Sequence, residues 1–446
     1  MPFTNLNKPK LNPHQLIALG FAIIILLGGL LLALPVASTT GVTIGLLDAM
    51  FTSTSAVCVT GLVVLDTGQD FTVFGQVVIM LLIQIGGMGF MTYGVIIALI
   101  LGKRIGLKQR VFLQESTKSS SIQGLIKLVM SIVVITLSFQ AVGALILWLR
   151  WIPDLGLGQA AYYALFHSVS SFNNAGFGLW QDSLVQYVGD PIVNIVISML
   201  FIAGGIGFIV IVDIYKKRRW NKFALHTKIV LIISALLSFG GFLVIFILEL
   251  FNPAVFGGLS WSEKLWAAYF QSVTTRTAGF NSVDLTGLLT ATQFLMVFLM
   301  FIGASSGSTG GGIKTNTFMV LLVAMYSNIR GRNQVHIFKR KIGTSIVLNA
   351  LSVVLISLGL VLVVSFVLSI TEGGQDFIDL LFEATSAFGT VGMSLGVTPE
   401  LSPVGKVIIM FTMFAGRLGP LTLAFALSRR QRDSKIGYPE EKVLIG

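Results

Sequence analysis

Along the chain, long apolar runs alternate with short ones, and each short run leads into a polar stretch that closes on a glycine. Residues 16–34 are apolar and long enough to cross a bilayer, whose hydrocarbon core of about 30 Å takes about 20 helical residues. Residues 43–54 are too few to cross, so the pattern predicts a half-length helix that enters and turns back. Beyond Asp66 and Asp70, residues 73–101 predict a second span. The same order of span, half-helix, loop and span recurs at 125–148, 158–170 and 192–214, and again at 346–368, 376–386 and 404–427. A further copy begins with a span at 227–250 and a half-helix at 263–273, but its return segment is interrupted. Residues 292–302 are apolar, residues 303–312 read GASSGSTGGG, Lys314 follows, and 318–325 are apolar again.

The polar stretches share a register. They read TSAVCVTG (54–61), SFNNAG (171–176), TTRTAG (274–279) and TSAFGTVG (385–392), and their closing glycines lie 115, 103 and 113 residues apart. Ten residues before each glycine is an aromatic: Phe51, Phe166, Tyr269 and Phe382. This is the signature of an internal repeat of about 110 residues. It predicts an all-α membrane protein of four tandem membrane-pore-membrane repeats, with eight spanning helices and four re-entrant pore hairpins. The copies point the same way, so they are able to surround one pseudo-fourfold axis. The units are a cytoplasmic N-terminus (1–15), repeat 1 (16–110), repeat 2 (111–222), repeat 3 (223–341), repeat 4 (342–428) and a cytoplasmic tail (429–446).

Composition agrees with burial in lipid: 54% of residues are hydrophobic and 11% charged, where soluble domains carry about a quarter charged. The 48 glycines suit closely packed membrane helices. No small-residue cleavage site follows the first apolar run, which is expected to stay in the membrane. The net charge of +11 is segregated rather than spread. Basic residues gather at Lys103, Arg104, Lys108 and Arg110, at Lys216 to Arg219 with Lys222, at Arg330, Arg332 and Lys339 to Lys341, and at Arg429, Arg430, Arg432 and Lys435. The alternate connections carry acids instead, among them Asp66, Asp154, Asp190, Glu263, Asp284 and Glu400. That asymmetry puts both termini and the basic loops in the cytoplasm and argues against nucleic acid as a partner.

The loops suggest the chemistry. Dehydrating a monovalent cation requires replacement oxygens, and extended backbone supplies carbonyls when side chains point away. The expected filter residues are Thr60 and Gly61, Ala175 and Gly176, Ala278 and Gly279, and Val391 and Gly392. Each glycine alone reads equally as a simple turn; four in register behind four half-helices do not. Thr60, Asn174, Thr277 and Thr390 are candidates to tie the loops down. The partly negative C-terminal ends of the half-helices favour a cation at the axis.

Residues 303–312 cannot form a stable lipid-exposed helix, and broken backbone at membrane depth is tolerated only against protein or a watery cavity. Gly303, Ser305, Ser306, Gly307, Ser308, Thr309, Gly310, Gly311 and Gly312, with Lys314, are therefore expected to face the central path. Arg417 lies between Gly416 and Gly419 inside the last return helix, and positive charge beside a cation route reads as a barrier or gate. The alternative is a counter-charge to a helix end. Arg276 lies in the third loop and either faces outward or braces the loop from behind. Asp66 and Asp284 each fall five residues after their glycine, where they form a cation-attracting outer mouth or are ordinary solvated loop acids. Asp213 is expected to offset the basic run that follows it.

Enzyme chemistry has no foothold. Gly310 to Thr315 mimics a phosphate loop but follows a membrane helix rather than a strand, and no HExxH or catalytic carboxylate pair is present. One cysteine, Cys58, excludes an internal disulfide, and four scattered histidines argue against a metal cluster.

Taken together, the registered loops, the interrupted third return helix and Arg417 make the chain resemble the Trk/Ktr/HKT superfamily of potassium transporters. The similarity is greatest to the membrane subunit of the bacterial Ktr uptake system, over residues 16 to 430. The resemblance implies filter glycines at Gly61, Gly176, Gly279 and Gly392, an intramembrane gating loop at 303–312 and a pore arginine at Arg417. It implies potassium as the substrate, no cofactor on this chain, a plasma-membrane location and a homodimer with one pore per chain. It also implies a cytosolic ring of nucleotide-binding regulatory subunits on the inner face. Loops 103–110 and 216–222 and the tail 429–446 are the expected docking and dimer contacts, or else contacts for membrane lipids. Sodium-dependent uptake belongs to the resemblance as well. An uncoupled monovalent cation channel and an alternating-access carrier remain as alternatives.

Overall fold

The computed structural model describes residues 13–89, 122–332, 334–419 and 441. The basic loop at 103–110 and nearly all of the tail at 429–446 lie outside these residues. Apart from a two-stranded hairpin (β1, His336–Ile337; β2, Arg340–Lys341), the regular structure is helical. Helices α1 (Pro13–Leu32), α2 (Leu46–Cys58) and α3 (Val73–Met88) form the first unit. In the second, α4 (Ile122–Phe172) carries span and half-helix in one element, broken at Gly156 (φ 76°) just after Pro153. The unit continues with α5 (Pro191–Ile206) and α6 (Phe208–Lys217). The third comprises α7 (Leu225–Glu249), α8 (Trp261–Thr274), α9 (Thr290–Phe301) and α10 (Thr315–Ile329). The fourth comprises α11 (Thr344–Thr371), α12 (Phe377–Gly389), the single turn α13 (Val397–Glu400) and α14 (Pro403–Leu418).

Polar and apolar residues are distributed inside out. Leu27, Leu30, Leu137, Phe239, Ile247 and Phe366 are exposed on the outer faces, while Ser53, Ser55, Ser170, Ser171, Thr274, Thr275 and Ser386 are buried. Most buried hydroxyls are hydrogen-bonded, and a recurring pattern satisfies several of these, although Ser170 and Ser171 Oγ have no partner. Ser53 Oγ donates to the Ile25 carbonyl, Ser168 to Gln140 and Ser272 to Ser238, each at 2.7 Å. Three of the four half-helices are thus fastened to the span before them. Helix starts are capped: Thr72 on α3, Asp190 on α5, Ser402 on α14, and a reciprocal Ser260–Glu263 capping box on α8. The Ser260 N–H bonded to Glu263 holds that carboxyl below its usual range. The buried Glu249 carboxylate accepts from Leu289 N (3.0 Å), Asn252 Nδ2 (2.6 Å) and the Thr292 hydroxyl, tying the end of α7 to the start of α9.

Among the described residues four helices are long and apolar enough to cross a membrane: those within α1, α4, α7 and α11. A fifth span counts only if α5 and α6, bent by 95° at Gly207, are taken together. Eight uninterrupted spans are not what the described residues contain, because the return helices stop short. α3, α5 and α14 end at Gly89, Gly207 and Gly419, with φ of 77°, 96° and 84°. Three residues earlier, Gly86, Gly204 and Gly416 press against the carbonyls of Val57, Phe172 and Phe388 in half-helices α2, α4 and α12. A side chain at these glycines would push helix and half-helix apart. α9 ends at Phe301, where the glycine-rich segment begins.

The half-helices also shift one expectation. Phe51, Phe166 and Phe382 are buried as the register requires, but in the third unit the buried aromatic is Phe270, while Tyr269 is partly exposed and bonds Ser198. The cause is a shorter connection. Ala278 N bonds the carbonyl four residues back (Thr274), whereas Thr60, Ala175 and Val391 each reach five residues back.

Gly416→Ala should destabilise the fold by about 1–3 kcal/mol through overpacking, seen as an earlier melting midpoint in detergent. Gly359→Ala, where an added Cβ meets nothing within 4 Å, should leave the midpoint unchanged or raise it.

Candidate functional site

In each unit the chain leaves its half-helix through a residue in the left-handed region and reaches the registered glycine two residues later. The left-handed residues are Val59 (φ 58°), Asn174 (61°), Thr277 (73°) and Thr390 (49°). The glycines have φ of 93° (Gly61), 71° (Gly176), 78° (Gly279) and 93° (Gly392). Valine and threonine are rarely found there, and such strain persists only where the surroundings over-determine it. Here the determinant is the amide of the intervening residue. It turns back to the half-helix: Thr60 N to Ser55 O at 2.8 Å, and Ala175 N to Ser170 O, Ala278 N to Thr274 O and Val391 N to Ser386 O at 2.9 Å.

With those amides turned away, the four loops close a ring. A Cβ built on Gly61 would meet the carbonyl oxygen of Ala175, and one on Gly176 that of Ala278 at 3.1 Å. One on Gly279 would meet Val391 O, and one on Gly392 would meet Thr60 O. Each glycine therefore lies against the carbonyl of the next loop, in the order 1→2→3→4→1. The return helices follow the same circuit: α3 packs on α4, α5 on α8, α9 on α12 and α14 on α2. Lys406 Nζ and Asp48 Oδ1, 2.6 Å apart, fasten the closing seam.

The glycine-rich segment is packed under this ring. Thr309 Oγ1 donates to Asn174 Oδ1 (2.8 Å), Asn174 Nδ2 to Thr277 Oγ1 (3.2 Å), and Gly311 N to Thr390 Oγ1 (2.9 Å). Gly310 leaves no room for a side chain beside Thr277. The segment is also held laterally, by Ser305 N and Thr309 N on the carbonyls of Gly205 and Gly204 and by Phe208 N on Gly307. Ser308 Oγ caps Ser305 O, and Ser305 Oγ accepts from Thr315. Ser306 and Gly307 lie at its outer edge, partly exposed, while Gly303 and Gly312 pack on each other. Lys314 Nζ folds back on the segment's own carbonyls, Gly310 (2.7 Å) and Gly311 (3.3 Å).

Arg417 reaches the segment from the other side. Its guanidinium bonds the carbonyl of Thr309 and, through its second terminal nitrogen, that of Gly86. It thus joins three units. This placement explains a departure from the expected register: Thr60 is not the counterpart of Asn174, Thr277 and Thr390. Val59 holds that position and offers no hydrogen bond, and the buried Thr60 hydroxyl has no partner. On the quadrant of unit 1, Arg417 supplies the polar tie.

Two side chains behind the ring escape a reading confined to the loops. Nine residues before Gly176 and Gly392 stand His167 and Glu383, both fully buried. Leu179 N–H donates to His167 Nε2 (3.3 Å), whose Nδ1 faces the Tyr163 carbonyl (2.8 Å). Glu383 accepts from Ser394 Oγ (2.7 Å) and Thr398 Oγ1 (2.5 Å). Both brace the strand that climbs away from the glycine. A charged or ionisable residue inside an otherwise apolar half-helix was the signal for them. The acids placed at the outer mouth are occupied locally: Asp66 Oδ1 accepts from Gly68 N and Gln69 N, and Asp284 Oδ1 from Thr286 N and Oγ1. Asp213 pairs with Lys217 at 2.6 Å, as its position beside the basic run suggests.

Among the described residues no group of three or more His, Cys, Asp or Glu is placed to hold a metal ion. The groups brought together where the four loops meet are backbone oxygens, which suit a dehydrated monovalent cation. Residues 24–435 match the profile of the TrkH family, described as cation transport protein. The chain belongs to that family. It is 48% identical over 437 residues to the Ktr system potassium uptake protein B of Bacillus subtilis, covering 98% of this chain and 97% of that one. It is 43% identical to the protein of the same name from Vibrio alginolyticus (99% and 96% covered). To the potassium/sodium uptake protein NtpJ of Enterococcus hirae it is 41% identical (98% of each). The crystal structure of the potassium transporter TrkH from Vibrio parahaemolyticus superposes with a TM-score of 0.74 at 20% identity, covering 96% of this chain and 87% of that one. This TrkH-family chain is thus a multi-pass membrane transporter rather than an enzyme, with an all-α fold related to that structure.

Arg417→Ala should free the Thr309 and Gly86 carbonyls and loosen residues 303–312. Amide hydrogen exchange there should quicken by about tenfold; unchanged exchange in folded protein would mean that other contacts alone hold the segment.

Proposed function

We propose that this chain carries potassium across the plasma membrane through the ring formed by Thr60–Gly61, Ala175–Gly176, Ala278–Gly279 and Val391–Gly392. The four units act as membrane-pore-membrane repeats about a pseudo-fourfold axis, completing eight spans and four re-entrant hairpins. The observation that carries this reading is the closed circuit of four glycines, each against the carbonyl of the next loop. A cation that sheds its water must regain comparable oxygens, and carbonyls whose amides are already committed elsewhere meet that need without rearrangement. Four half-helix C-termini add about half a negative charge each in the direction of the axis.

Residues 303–312 with Lys314 form the gate, and Arg417 is its latch. With the segment bonded to Asn174 and Thr390 the route below the ring is obstructed, so conduction requires it to move. Its ties to Gly204, Gly205 and Phe208 couple it to the bend between α5 and α6, which leads to the basic residues 216–219. A cytosolic ring of nucleotide-binding regulatory subunits, docking on those inner loops of a homodimer, supplies the force for that movement. Both termini are then cytoplasmic, and Asp66 and Asp284 lie at the outer mouth. The relatives' names support potassium as substrate, and the potassium/sodium uptake protein of Enterococcus hirae keeps sodium in play as a second or coupled ion.

Gly279→Ser places a side chain against Val391 O and should lower discrimination of potassium over sodium by about tenfold. Ion-competition measurements on reconstituted protein check this, and an unaltered ratio counts against Gly279 as a filter residue. Deleting residues 303–312 should raise cation flux; equal or lower flux in folded protein would remove the segment from the gating role.

A further inference from the structure

Between units 2 and 3 lies a cavity of about 300 Å³ lined by residues of α5, α7 and α8 together with Arg276 and Ala304. The adjoining seam shows what such a space normally holds. Between units 1 and 2, Asn173, three residues before Gly176, donates to Gln84 Oε1 (2.7 Å), and the Gln84 and Gln140 amides exchange two bonds (2.8 and 3.3 Å). In the next seam Arg276 stands three residues before Gly279. Ile202 stands two before Gly204, as Gln84 stands two before Gly86. Ser238, whose carbonyl accepts from Ser272, corresponds to Gln140, whose carbonyl accepts from Ser168. Arg276, Ile202 and Ser238 all line the cavity. An amide network is therefore replaced by an arginine, an isoleucine, a serine and a void.

The polar groups left facing that void without partners are a guanidinium N–H and a hydroxyl, both able to donate. Arg276 Nε is buried with no hydrogen-bond partner, and no carboxylate pairs with this arginine among the described residues. Ser234 Oγ, also lining the cavity, is likewise buried without a partner. A guanidinium only donates, and a buried cation without a counter-charge is among the most expensive arrangements a protein can hold. We propose that the cavity binds a small inorganic anion of the halide class between Arg276 and Ser234. Ser234 and Ser238 are the tenth and fourteenth residues of the 25-residue α7, which sets the cavity near mid-membrane and away from lipid phosphates. The anion neutralises Arg276 beside the third loop, so that its charge does not oppose a cation in the ring. Binding there does not depend on which cation crosses.

The test is a melting titration of the full-length purified protein, with chloride replacing gluconate at fixed potassium concentration and ionic strength. The midpoint should rise saturably by about 2 °C. The double variant Arg276→Asn with Ile202→Gln, which recreates the neighbouring amide network, should lose this response. A wild-type midpoint indifferent to chloride overturns the proposal, as does one that responds to added anionic lipid instead. A double variant that responds like wild type also overturns it. If the double variant does not fold, Ser234→Ala provides the second arm. It should raise the half-saturating chloride concentration about tenfold, and an unchanged value overturns the assignment.

Discussion

Backbone that leaves a helix inside hydrocarbon carries amides and carbonyls that no water will satisfy, and each unsatisfied group costs several kcal/mol. The structure depends on how that constraint is met four times over. In every loop the amide before the glycine is returned to its own half-helix, and the carbonyl of the same residue is left against the neighbouring loop. The N–H of that residue holds the loop, and its C=O, which belongs to the next peptide, is left where the loops meet. The left-handed residues two positions before the glycines follow from this geometry, since the chain must reverse within three residues of the helix end.

The same constraint explains why the return helices are interrupted. Half-helix and return helix must approach until a glycine touches backbone, and at Gly86, Gly204 and Gly416 it does. The third unit departs from this rule. Its connection to the ring is one residue shorter, and the space where its return helix would run is filled by residues 303–312, with Gly303 against Gly311 rather than against a half-helix. A glycine-rich segment of this kind has few side chains to anchor it. Its position is set instead by borrowed hydrogen bonds from Asn174 of the second unit and from Thr390 and Arg417 of the fourth. Because it is held by hydrogen bonds rather than by packed side chains, little apolar burial opposes its displacement.

Much of this was legible in the residues themselves. The order of long and short apolar runs located α1, α2, α4, α7, α8, α11 and α12 to within a few residues, and the glycine register identified the four loops that meet. Hydropathy did not reveal the bend at Gly207, because apolar residues continue on both sides of a kink. Nor did it reveal that Tyr269 and Phe270 exchange roles, since a one-residue deletion leaves the composition of the loop unchanged. The pairing of Thr60 with Asn174, Thr277 and Thr390 followed side-chain type, whereas the backbone aligns Val59 with them. His167 and Glu383 were overlooked for a related reason: attention to the loops left out the helix behind them, where a buried ionisable group needs a partner to be tolerated.

On the proposed reading, the four-carbonyl ring selects potassium. Rubidium uptake into liposomes containing the purified wild-type chain, with potassium or sodium as the competing ion, tests it most directly. The account predicts that potassium suppresses uptake at concentrations where sodium does not. Equal suppression by both ions would contradict it, leaving a cation route through the ring but no selectivity within it.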